Sequence, residues 1–303
     1  MSVATLERSV DISESLSATA QKVEAMLDRL LPRGEGPERP LLEAMRYACL
    51  NGGKRLRPYL TVCTAHLFDV DDERAYRTAA AVEMLHCYSL VHDDLPAMDD
   101  DELRRGRPTC HIAFDEATAI LSGDALLTLA FDVMADDATH YDAAVRIDLV
   151  RGLTEAAGAH GMVAGQMIDL AVEHCAVDEH TVQRLQALKT GALITYSAEA
   201  GAILGEADPD QREAILSYGR DVGFAFQIID DLLDEEGDQD AMGKAVGKDA
   251  AAGKATLVGV LGRDAARAKA EALSDRAIAS LETFGEAAEL LREVARFIVT
   301  RRS

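Results

Sequence analysis

Residues 86–111 read HCYSLVHDDLPAMDDDELRRGRPTCH. The residues leading into them, AAAVEMLHCYSLVH, repeat apolar side chains at three- and four-residue spacing, which predicts a helix that delivers Asp93 and Asp94 at the mouth of an apolar interior. Six acidic residues fall within positions 93–102, and Arg104, Arg105 and Arg107 follow at once. Such a contrast fits either a solvated loop or two halves of a site that holds a polyanion, with metal ions on one side and guanidinium groups on the other.

The same helical spacing recurs along the chain, in LLEAMRYACL, AILSGDALLTLAFDVMA, VQRLQALKTGALITYSAEAGAIL and REAILSYGRDVGFAFQIIDDLL. Breaks fall at LPRGEGPERP (31–40), at the acidic segment with Pro96, at GEADPDQ (205–211) and at EEGDQDAMGKAVGKDAAAGK (235–254). No strand-like alternation persists between them. The expectation is therefore all-α: a single domain over 1–303, built as a bundle of about ten helices, with 1–40 an N-terminal helix and loop of less certain match. The alanine-rich helix 75–92 is a candidate contributor to a subunit interface.

With 31 basic against 53 acidic residues in 303, the net charge is −22. That argues against a nucleic-acid or anionic-membrane partner, both of which need a basic face. Cys49, Cys63, Cys87, Cys110 and Cys175 lack CxxC spacing, which reads as mostly buried thiols in a reducing compartment. With no signal-peptide pattern and no uncharged apolar run near 18 residues, the expectation is a cytoplasmic protein without a stable membrane anchor.

A second acidic cluster, Asp230-Asp231-Leu232-Leu233-Asp234, follows FQII. Asp230 and Asp234, at i and i+4, share one helix face about 6 Å apart, and Gln227 lies on the same stripe. Carboxylates without His or Cys beside them select hard cations, and Mg²⁺ typically takes one or two carboxylates plus phosphate oxygens. Either cluster alone also reads as a solvated cap; two, each after an apolar run, point to metal. Cations stand beside Gly or Thr elsewhere: Lys54, Arg55 and Arg57 after the turn Asn51-Gly52-Gly53, Lys189-Thr190 within a helix, and Lys244, Lys248 and Lys254 in a glycine-rich loop. A glycine turn lets phosphate approach backbone N–H groups, and together these cations suffice for two diphosphates.

NGGKRLRP, HCYSLVHDDLPAMDDDELRRGRPTCH, GQMIDL, KTGALI, FQIIDDLLD and GKAVGKDAAAGKAT together resemble, in order and spacing, the motifs of the trans-isoprenyl diphosphate synthases (polyprenyl synthetases), most like the bacterial farnesyl diphosphate synthases. The resemblance runs over about residues 41–302 and implies the isoprenoid synthase fold, helices around a deep apolar cavity, and typically a homodimer. It implies Mg²⁺ as cofactor, with Mn²⁺ a possible substitute. Asp93, Asp99 and Asp230 would be the main ligands, with Asp94 and Asp234 secondary. Arg104, Lys189 and Lys244, with Lys254 nearby, would hold an allylic diphosphate; Lys54, Arg57, His86 and Arg105 would hold isopentenyl diphosphate without metal. Thr190, Gln227 and Gln166 would sit beside an allylic cation, and the departed diphosphate would serve as base.

Tyr88, five residues before Asp93, matches the position at which the family sets product length, and with Pro96 and Ala97 between the aspartates it resembles enzymes that stop at C15. On an ideal helix Tyr88 is turned about 140° from Asp93, so periodicity alone does not aim it there. Two departures stand out: Val258 where the family usually has Pro, and Glu235-Glu236 where apolar residues are common. Alternatives sharing these motifs are a geranylgeranyl diphosphate synthase and a non-catalytic subunit of a longer-chain synthase. A terpene cyclase would not need the GGKRLRP turn.

Overall fold

The computed structural model describes residues 12–173, 175, 177–236 and 256–301. Helices dominate: α1 (Ile12–Leu30), α2 (Arg39–Cys49), α3 (Leu56–Leu67), α4 (Asp72–Asp93), the short α5 (Cys110–Ala113), α6 (Glu116–Ala135), α7 (Ala143–Ala157), α8 (Met162–Val172), α9 (Glu179–Gln186), α10 (Ala192–Leu204), α11 (Pro209–Glu236), the short α12 (Leu257–Leu261), α13 (Arg263–Ser280) and α14 (Glu289–Thr300). Among the described residues twelve have eight residues or more, against the ten expected. The only strands described are β1 (Leu103–Arg104) and β2 (Arg107–Pro108), an antiparallel ribbon.

Helices α3 and α10 form the centre, each contributing buried side chains to both core clusters. On α10, Leu193, Tyr196 and Ala200 face the cluster built by α1, α2, α4, α6 and α7. Ile194, Ala198 and Ala202 face the cluster of α11, α13 and α14. The two backbones meet: a Cβ at Gly201 would lie 2.5 Å from the Ala65 nitrogen, and Thr61 Oγ1 donates to Ser197 O at 2.7 Å. Any larger residue at Gly201 must push these helices apart.

Within the stretch 75–92, expected as a candidate contributor to a subunit interface, the first half is taken up by the chain's own core. Every residue from Ala75 to Leu85 is buried within its own chain, because Ala at successive positions lets α1, α3 and α6 close around α4. The N-terminal end of α4 is capped by Asp71, which accepts from Arg74 N. Truncating a core residue such as Leu85 to Ala costs about 2–5 kcal/mol. By contrast α6 leaves Ile120 and Leu121 exposed, at 44% and 56%. It is the one described helix long and apolar enough to cross a membrane by length and hydropathy, although Asp124 and Asp132 lie within it.

Val258 falls inside the short helix α12 and is buried; Thr256 accepts from Gly259 N and starts that helix without a proline. Glu235 is exposed and pairs with Arg263 at 3.0 Å.

Candidate active site

Helix α4 ends at Asp93, and the chain then folds back so that Asp99 N donates to Asp93 O at 2.8 Å. The reversal takes Asp100 to φ 49°, and it returns the third aspartate of the first cluster to the first. Asp93 makes no ion pair among the described residues. Burial drives its carboxyl up to about 6, partly offset by Lys189, with Asp99 and Asp94 adding like charge. Asp94 turns inward and accepts on Oδ1 from Arg104, at 2.7 Å from Nε and 2.6 Å from the terminal nitrogen. Burial raises its carboxyl, and the Arg104 bonds pull it back only in part.

The β1–β2 ribbon separates the neighbouring arginines. Its two-residue turn, Arg105-Gly106, has positive φ at both positions (52° and 73°), the form that matches strand twist. Arg104 reaches back to Asp94, while Arg105 donates to Gly52 O in the glycine turn before α3. A Cβ at Gly53 would collide with the Arg105 guanidinium, so only glycine admits that arginine against the backbone.

The glycine turn is fastened from beneath. Arg55, in the left-handed region at φ 50°, is buried and bonds Glu83 of α4 at 2.5 Å and Cys49 O at 2.6 Å. Burial works against its charge, but Glu83, Cys87 and Glu24 together outweigh that and raise it overall. Lys54 and Arg57 are thereby presented to a cavity of about 520 Å³, which His86, Arg105, Asp230, Phe226, Phe297 and Arg301 also line. Arg57 and His86 approach to 3.4 Å. Burial first, then Arg57, Arg105 and Arg104, hold His86 well below its usual range, so it is neutral near pH 7. Burial likewise lowers Lys54 and Arg57. A larger cleft, about 660 Å³, opens between α7, α10, α11 and α13 and contains none of the expected site residues.

Opposite the first cluster, the helical run widens to one π-helical turn, Ala187–Gly191, which carries Lys189 and Thr190. Glycines allow this turn to be gripped closely. A Cβ at Gly165 of α8 would strike the Lys189 backbone, and one at Gly223 of α11 would lie 3.2 Å from Gly191 Cα. Lys189 pairs with Asp169 of α8 at 2.5 Å. Gln166, one turn earlier, has both amide atoms buried without a partner. Those are atoms able to serve a ligand, since buried polar groups otherwise find partners.

On α11, Asp230 accepts from Arg301 at 2.6 Å, Asp231 accepts from the amides of Gln186 (2.7 Å) and Gln227 (2.8 Å), and Asp234 is buried. Tyr88 is buried and packs edge-on to His92 at 5.7 Å; burial, then the charge of Asp93, pushes its hydroxyl up to about 12. Lys244, Lys248 and Lys254 lie outside the described residues. Two residues escaped the sequence reading. Asp169 stands inside GQMIDL and signalled itself only by its motif. Arg301, stacked at 4.1 Å on Phe226, belongs to no motif and is joined to Asp230 only by the fold.

The donor set fits a hard divalent cation. It offers carboxylates only, and among the described residues no three ligating side chains converge closely enough to hold an ion alone. Mg²⁺ completes its octahedron with phosphate oxygens and water.

A helical bundle in which two carboxylate clusters and a cation-lined cavity share one end defines a protein shaped around diphosphates. The polyprenyl synthetase family profile matches residues 38–294, and the chain belongs to that family. It is 41% identical to farnesyl diphosphate synthase of Haemophilus influenzae over 293 residues, covering 96% of this chain and 99% of that one. Identity with farnesyl diphosphate synthase of Escherichia coli is 42% over 298 residues, with coverage of 96% and 99%. The crystal structure of an FPP/GFPP synthase from Zymomonas mobilis superposes with a TM-score of 0.88 at 49% identity, covering 95% and 99%. The fold is that of the isoprenoid synthases.

Proposed function

We propose that this chain is a prenyltransferase of the farnesyl diphosphate synthase type. It joins isopentenyl diphosphate head-to-tail (1′-4) to dimethylallyl and then geranyl diphosphate and releases diphosphate at each turn. The observation that carries this reading is the cavity where Lys54 and Arg57 of one motif and His86 and Arg105 of a second meet Asp230 of a third. A cavity so basic in a chain of net charge −22 is a local arrangement for an anion.

In this reading Asp93, Asp99 and Asp230, with Asp234, hold Mg²⁺ (or Mn²⁺), which supplies charge neutralisation for the departing diphosphate. Arg104, Lys189, Lys244 and Lys254 hold the allylic diphosphate, and Asp94 aims Arg104 at it through their paired contact. Isopentenyl diphosphate lies against Lys54, Arg57 and Arg105. The neutral His86 serves there as a hydrogen-bonding group, and Arg301 is added to that set. Thr190, Gln166 and Gln227 turn oxygen dipoles toward the positive charge on the allylic fragment. The proton lost at the end goes to the departed diphosphate.

Tyr88 limits the product to C15. The protein acts as a single-domain cytoplasmic homodimer whose contact includes the exposed Ile120 and Leu121 of α6, in place of α4. Incubation with isopentenyl diphosphate, geranyl diphosphate and Mg²⁺, followed by mass spectrometry, tests the reading. A C15 product is expected. A C20 product favours a geranylgeranyl diphosphate synthase, and no diphosphate release favours a non-catalytic subunit.

A further inference from the structure

Asp231 follows Asp230 in the second cluster, yet its surroundings are unlike those of a metal ligand. It is buried at 5% exposure, and its two oxygens are each engaged: Oδ2 accepts from Gln186 Nε2 at 2.7 Å and Oδ1 from Gln227 Nε2 at 2.8 Å. Gln186 closes α9 immediately before the π-helical turn that carries Lys189 and Thr190. Gln227 lies one helical turn beyond Gly223, whose close approach to Gly191 presses α11 onto that turn. Asp231 therefore ties α11 to the segment that faces the allylic substrate.

The chemistry of the contact fixes more than position. An ionised carboxylate only accepts hydrogen bonds, whereas an amide presents two donors on nitrogen and an acceptor on oxygen. A terminal amide is otherwise free to flip, its last torsion being broad and roughly two-fold. With the nitrogen of Gln227 held by Asp231, its oxygen must point away from Asp231, and no described residue donates to it. A flipped amide would present N–H groups, whose positive ends oppose a developing cation.

We infer that Asp231 is a positioning residue: it clamps the Gln227 nitrogen so that the carbonyl oxygen faces the allylic cation. The inference rests on the reading of Gln227 as a neighbour of that cation and deepens it. Gln186 has a second part, holding the other carboxylate oxygen so that Asp231 cannot swing toward the metal side. Its own Oε1 is buried without a partner, so the Nε2 contact with Asp231 is the one hydrogen bond its amide makes among the described residues.

The test is steady-state kinetics with geranyl and isopentenyl diphosphates on wild type, Asp231→Asn, Gln227→Leu and the double variant. Asp231→Asn is expected to lower kcat about ten- to a hundredfold, with both KM values within about threefold and the Mg²⁺ half-saturation unchanged. The double variant should be no slower than Gln227→Leu alone, since Asp231 acts through Gln227. Losses that multiply, or a Mg²⁺ half-saturation that rises in Asp231→Asn, overturn the inference. If Asp231→Asn does not fold, Asp231→Glu takes its place with the same kcat-selective loss expected, and an unchanged kcat there overturns it too. Wild type that forms no prenyl product rejects the functional reading itself, whereas an active wild type with multiplying losses rejects only the role of Asp231.

Discussion

At the end of α4, Asp93 lies half-buried beside Asp99 and Asp94 with no ion pair of its own among the described residues, and its carboxyl is driven up to about 6. On α11, Asp230 holds the same place in its cluster but is met by Arg301 at 2.6 Å. The second aspartates agree more closely: Asp94 and Asp231 are both buried and bonded to their own protein, one to a guanidinium and one to two amides. Identical letters thus divide into a bare carboxylate, a neutralised one and two that hold other side chains. At the first cluster burial raises the Asp93 carboxyl, with Lys189 and Arg104 offsetting part of the effect, whereas Asp230 of the second cluster already has a paired cation in Arg301.

The largest effect that could break this contrast is on turnover. Asp93→Asn is expected to lower kcat about a thousandfold in steady-state assays, and a loss under tenfold would remove Asp93 from the centre of the site. Asp94→Asn should act differently. By freeing Arg104 it is expected to raise the KM for the allylic diphosphate about tenfold or more while leaving the Mg²⁺ dependence in place. Arg301→Gln, by contrast, should raise the KM for isopentenyl diphosphate by about tenfold and spare the allylic KM.

Tyr88→Ala removes bulk beside His92 and should shift the product to C20 or longer by mass spectrometry, and an unchanged C15 profile would show that Tyr88 is ordinary core. The smallest effect is on stability. The Asp93 carboxyl is raised from its usual value near 3.8 to about 6, so the stability it contributes is present at low pH and lost as pH rises through 6. Metal-free Asp93→Asn should therefore melt about 2–4 °C above wild type near pH 8 and no higher near pH 3.

Much of the site is legible in the sequence because each motif carries its own local geometry. The apolar periodicity before Asp93 makes a helix, and Gly52-Gly53 makes a turn at positive φ. Arg105-Gly106 forms the ribbon turn that sends Arg104 and Arg105 to different partners. What stays hidden depends on which helices come together. Arg301 meets Asp230 across 71 residues, and nothing near it in the chain announces the pairing. Likewise, an alanine-rich helix can pack closely against its own bundle or against a second subunit, and periodicity does not distinguish the two. Here Ala75 to Ala81 are buried in the chain's own core, whereas α6 leaves Ile120 and Leu121 exposed.

The central claim is that one diphosphate is held through metal by the aspartate clusters and the other by cations alone. Calorimetric titration of isopentenyl diphosphate with and without Mg²⁺ tests it most directly, beside an unreactive thiolo-diphosphate analogue of the allylic substrate. The account predicts that isopentenyl diphosphate binds equally well with Mg²⁺ or with EDTA and that the analogue binds only with Mg²⁺. Binding of isopentenyl diphosphate that vanishes with EDTA would contradict it.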